Sequence, residues 1–82
     1  MSAVREVIET ISRALADSPQ RVSVTESEQR GTTLIEVTVA PPDVGKLIGR
    51  QGRTISAMRT LATMAGERLG KKVTVEVRDA NS

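Results

Sequence analysis

Ala3, Val4, Val7, Ile8, Ile11, Ala14 and Leu15 recur every three or four positions, with Arg5, Glu6, Glu9 and Arg13 between them. That spacing puts the apolar residues on one stripe of a helix over residues 2–17, and Ser18-Pro19 ends it. Val22 and Val24 then alternate with polar neighbours, and so do Thr33, Ile35, Val37 and Val39. With Glu28-Gln29-Arg30-Gly31 as the turn between them, these two runs predict a β-hairpin. Pro41-Pro42 stops the second strand, and Asp43 is placed to cap a short helix through Ile48. Ile55, Met58, Leu61, Ala62, Ala65 and Leu69 share one face of a further helix, with Met64 at its margin; Gly66 weakens its last turn and Gly70 ends it. Val73, Val75 and Val77 alternate with Thr74, Glu76 and Arg78 in a third strand.

The predicted order is α-β-β-α-α-β, an α+β fold occupying residues 1–82 as one domain, with a core from about residue 3 to residue 78. The connection from the second strand to the third holds two helices, enough for a parallel crossover. The right-handed rule then sets the three helices on one face of a mixed three-stranded sheet.

Composition narrows what such a domain can do. Cysteine and histidine are both absent, which removes disulfides, thiolate nucleophiles, imidazole bases and nearly all zinc chemistry. No cofactor and no metal is expected. Carboxylates are scattered, and Ser12, Thr54, Ser56 and Thr60 have no matched base, so an enzyme is not expected. No long apolar run or signal arrangement appears, and a soluble cytoplasmic protein is the expectation. Without Phe, Tyr or Trp, the core must be aliphatic, and aromatic platforms for stacking bases are missing.

The net charge is only +2, but it is unevenly spread. Residues 1–43 carry four basic against seven acidic residues, whereas residues 44–72 carry Lys46, Arg50, Arg53, Arg59, Arg68, Lys71 and Lys72 against Glu67 alone. Such asymmetry suits a polyanionic partner, though a solvated helix face accounts for it equally well. Inside the basic segment lies Gly49-Arg50-Gln51-Gly52, between two predicted helices. Two glycines three apart allow positive φ and close backbone approach, and the following helix start favours an anion at the same place. Val44, Leu47, Ile48 and Ile55 add apolar surface on which splayed bases can lie. By itself a G-x-x-G loop is weak, since a helix-turn-helix uses glycines merely to turn. A phosphate-binding P-loop is excluded, because Gly52 is followed by Arg53-Thr54 and no strand precedes the loop.

The longer run Leu47-Ile48-Gly49-Arg50-Gln51-Gly52-Arg53-Thr54-Ile55-Ser56-Ala57-Met58 resembles the KH signature, and the element order resembles the type II KH fold. From Val39 to Thr54, followed by an Ala-rich helix and a short strand, the chain is similar to the small bacterial KhpA family. The resemblance implies binding of single-stranded RNA in the cytoplasm, and a role as RNA chaperone or post-transcriptional regulator linked to cell elongation and division. It also implies association with a larger KH-containing protein of the KhpB type; since one KH groove grips only about four nucleotides, a homodimer or a heterodimer with that protein is expected to raise affinity through effective concentration. Carried over by position, the RNA-binding residues are Gly45, Lys46, Ile48, Gly49, Arg50, Gln51, Gly52, Arg53 and Ile55. Arg59 is as readily a solvated residue as a ligand contact, and Lys71 and Lys72 suit a helix C-terminus. The alternative is a KH-shaped interaction or dimerisation module that does not touch RNA.

Overall fold

The computed structural model describes residues 2–81. The domain limits expected at residues 1 and 82 lie outside the described residues. Helix α1 (Ser2–Leu15) leads into strands β1 (Ser23–Gln29) and β2 (Thr32–Val39), then helices α2 (Val44–Ile48) and α3 (Arg53–Arg68), then strand β3 (Lys72–Asp79). Short 3-10 turns fill Pro19–Arg21, Pro41–Asp43 and Arg50–Gly52. The sheet order is β1-β2-β3, with β1 antiparallel and β3 parallel to the central strand, as the crossover predicts.

Alternation along β2 is strict: Thr33, Ile35, Val37 and Val39 are buried beneath the helices, while Leu34, Glu36 and Thr38 lie on the other face. Ile8 of α1, Leu47 of α2, Ile55, Met58 and Ala62 of α3 and Val75 of β3 complete the core around Ile35 and Val37. Burying each of the large aliphatic side chains contributes roughly 1.5–3 kcal/mol, more than the exposed ion pairs of the surface contribute.

Five local expectations change. Helix α1 stops at Leu15, two residues early: the Ala16 amide makes the last helical bond, to Ser12 O, and the chain then bends toward Pro19. The hairpin is tighter than Glu28-Gln29-Arg30-Gly31 suggests, since pairing runs to Gln29 opposite Thr32. Arg30 and Gly31 alone make the turn, with φ of 52° and 80°, the paired left-handed geometry whose twist matches the strands.

Asp43 does not cap α2. Its carboxylate is fully buried, makes no capping bond, and instead accepts the Ser18 backbone N–H at 3.0 Å. The residue is itself helical (φ −91°, ψ −10°), so its side chain points away from the amides a cap would satisfy and ties the end of α1 to the start of α2. On α3, Leu61 and Leu69 are not core residues: Leu61 is 48% and Leu69 61% exposed, and Met64 is exposed as well. The buried stripe runs instead through Ile55, Met58, Ala62 and Gly66, because β3 crosses beneath the helix along that line.

Gly66 therefore does more than weaken a turn. A Cβ there would meet Val73 Cγ2 at 2.6 Å and the Lys71 carbonyl oxygen at 2.7 Å. The Lys71 amide donates to Gly66 O and the Gly70 amide to Glu67 O, a helix stop that folds the chain straight back into β3. Beyond the stop, Lys71 Nζ lies 3.0 Å from Glu28 Oε1, and Thr33 Oγ1 donates to the same carboxylate at 3.3 Å. The hydrogen bond and charge of Lys71 hold the Glu28 carboxyl below its ordinary range.

Candidate nucleic-acid interface

Helix α2 delivers the chain to Gly49, whose amide still bonds back to Gly45 O. Gly49 then takes φ 79°, ψ 168°, a region essentially reserved for glycine. It also needs the space, because a Cβ would overlap the Thr54 side chain and come 2.9 Å from the Thr54 backbone N. The turn closes when the Gly52 amide donates to Gly49 O at 3.0 Å. Gln51, at φ 57° and ψ 26°, and Gly52, at φ 72° and ψ 16°, both sit in the left-handed region.

Since this turn is closed by the Gly52 amide, the amides of its two central residues, Arg50 and Gln51, are left for a ligand. No side chain caps α3, and its positive dipole end opens at the same place. Arg50 is exposed and has no ion pair among the described residues. Arg53 donates to Gln51 Oε1 at 3.2 Å, and Lys46 Nζ lies 3.1 Å from Asp17 Oδ2 in an exposed pair that a polyanion can displace. A Cβ at Gly45 would meet nothing within 4 Å, so nothing in the fold asks for the helix-weakening glycine there.

Beside the turn runs an open concavity of about 430 Å3, lined by Ile48, Ile55 and Arg59 from the helices and by Glu36, Glu76, Val77 and Arg78 from the sheet. Ile48 and Ile55 thus line the concavity; Leu47 does not, being fully buried in the core, and Val44 packs against that core. Arg59 is not simply solvated, since its Nε donates to Val75 O at 3.0 Å. Strand β3 is an edge. The Ala80 amide bonds inward to Val39 O, and counting back by alternation, Val75 and Val77 turn their main-chain groups outward from the sheet edge, where Arg59 meets the Val75 carbonyl. The sheet wall of the concavity was invisible to sequence patterning. Its signal lay in the Glu36-to-Glu76 register, which exists only once the parallel pairing is known.

Among the described residues there is no group of three or more acidic side chains placed to hold a metal ion. Nor, among the described residues, is any helix long and apolar enough to cross a membrane.

An α-β-β-α-α-β chain with a parallel outer strand and a G-x-x-G turn between its last two helices is a type II KH domain. The sequence profile of the KhpA/KhpB KH domain matches residues 5–77, and the chain belongs to that family. The RNA-binding protein KhpA of Aquifex aeolicus is 42% identical over 77 residues, spanning 94% of this chain and 98% of that one. The RNA-binding protein KhpA of Caldanaerobacter subterraneus is 44% identical over 72 residues, 88% and 96% of the two chains. In Clostridium acetobutylicum the protein of the same name is 39% identical over 74 residues, covering 90% and 99%. Among solved structures, Aquifex aeolicus Era bound to GDP.AlF4- superposes with a TM-score of 0.60 at 17% identity, over 94% of this chain and 30% of that larger one. That last likeness bears on the fold alone.

Proposed function

We propose that this chain is an RNA-binding protein that holds single-stranded RNA with the sugar-phosphate backbone against Gly49–Gly52 and the bases over Ile48 and Ile55. One observation carries the reading: the turn leaves the Arg50 and Gln51 amides for a ligand immediately beside an apolar-floored concavity. The name shared by the relatives, RNA-binding protein KhpA, supports it. Gly45 lets the strand approach α2, while Lys46, Arg50 and Arg53 neutralise phosphates. In the cell the chain acts in the cytoplasm as an RNA chaperone or post-transcriptional regulator, linked to cell elongation and division through a KH-containing partner of the KhpB type.

With two to four phosphates neutralised, log affinity falls against log salt with a slope of roughly −1.4 to −2.8. Replacing Arg50 and Gln51 together by Asp places carboxylates where phosphates sit and leaves both glycines intact. Loss of RNA binding with an unchanged circular dichroism spectrum is the expected result; a variant that still binds RNA refutes the clamp.

A specific surface also favours pairing. Ala3, Val4, Val7 and Ile8 of α1 meet Leu61 and Ala65 of α3 around an apolar depression of about 260 Å3, with Val7 and Leu61 about half exposed. It is lined by none of the residues of the RNA concavity. We assign it to a second copy of this chain, because the half-exposed Val7 and Leu61 of one copy can enter the depression of its two-fold mate. Two grooves in one particle then raise the modest affinity of one through effective concentration. Should the wild-type chain bind a protein partner but no RNA, it is an interaction module instead.

A further inference from the structure

The sheet wall of the concavity carries charge of the wrong sign for phosphate. Glu36 and Glu76 are register partners on β2 and β3, so their side chains stand next to each other on the helix-free face at the edge of the concavity. Like charges directly opposite in a sheet are destabilising. Arg78 offsets part of this, its guanidinium lying 2.9 Å from Glu36 Oε2, while Glu76 is exposed and has no ion pair among the described residues.

A strand gripped at Gly49–Gly52 keeps its phosphates at the basic lip and extends its bases across Ile48 and Ile55 toward this wall. What arrives there is a base edge, and the wall offers acceptor-only carboxylates with one guanidinium donor beside them. Adenine, cytosine and guanine each carry an exocyclic amino group that a carboxylate can accept from, next to a ring or carbonyl acceptor for the guanidinium. Uracil has no amino group: its one donor on that edge, N3–H, is flanked by two carbonyl oxygens, which the paired carboxylates repel.

We infer that Glu76 and Glu36, with Arg78, form a base-selecting wall that favours bases bearing an exocyclic amino group over uracil. This rests on the RNA-binding reading above. Cytosine and uracil differ at position 4 by amino against oxo, so octamers of C and of U, measured by fluorescence anisotropy at one salt concentration, isolate the effect. The wild-type chain binds the C octamer about tenfold more tightly. Glu76→Gln, which breaks no contact of the fold, removes a negative charge beside a polyanion and so strengthens U binding, while the C-to-U ratio collapses toward one. Glu36→Gln acts in the same direction.

A carboxylate that merely sits in solvent raises affinity for both octamers equally when neutralised. An unchanged ratio in Glu76→Gln therefore overturns the wall. Equal wild-type binding of both octamers overturns it too and leaves the RNA clamp standing, whereas binding of neither refutes the clamp and the wall together.

Discussion

Gly49 and Gly52 look equivalent in the sequence, and the backbone assigns them different work. Gly52 needs only a left-handed conformation, and a Cβ on it would point into open space. Gly49 needs a mirror-image extended conformation and also the room that Thr54 fills. Alanine at position 52 should therefore lose about 1–2 kcal/mol, the left-handed cost of an ordinary residue. Alanine at position 49 should lose more than about 3 kcal/mol, since a clash with backbone adds to the conformational strain. Urea unfolding of the two variants measures the difference, and equal losses would contradict this division of roles. The G-x-x-G spacing and the flanking Ile48 and Ile55 were legible as a loop with an apolar floor. Which amides remain for a ligand was not, because that depends on where the turn closes.

Helix α3 and strand β3 meet at a point the helical pattern misjudges. By propensity alone, Gly66→Ala gains about 1 kcal/mol in a helix interior. In this fold the added methyl lies 2.7 Å from the Lys71 carbonyl, a backbone atom held by the helix stop, so the neighbour cannot yield. Overpacking of this kind costs about 1–3 kcal/mol, and a net loss of stability is expected in thermal unfolding. A raised melting temperature would mean that β3 moves away from the helix. Periodicity found the helix and its stop but set Leu61 and Leu69 inside, since a 3.6-residue repeat fixes a stripe only to within its width. The crossing of β3 decides which edge of that stripe is covered. At Asp43 a local rule for capping lost to a tertiary bond with Ser18, twenty-five residues away.

At the scale of the molecule, the concavity proposed to hold RNA and the apolar depression between α1 and α3 are built from separate residues, so each can be removed without the other. Leu61→Glu, at a half-exposed position, should leave the fold and the binding of a tetranucleotide intact. It should turn a particle of two chains into one of single-chain mass in sedimentation, and weaken binding only to RNA long enough to span two grooves. A wild-type chain that sediments at single-chain mass at tens of micromolar would refute the pairing. The sequence by itself determined the element order, the parallel crossover, the buried alternation of β2 and the glycine turn, because each follows from short-range periodicity and backbone sterics. Only the tertiary structure decided that Leu47 is core, that Gly66 is a contact, that Arg59 reaches β3, and that Glu36 stands beside Glu76 at the rim of the concavity. Those facts depend on which strands lie side by side and how helices cross them, and burial and register between distant segments have no period along the chain.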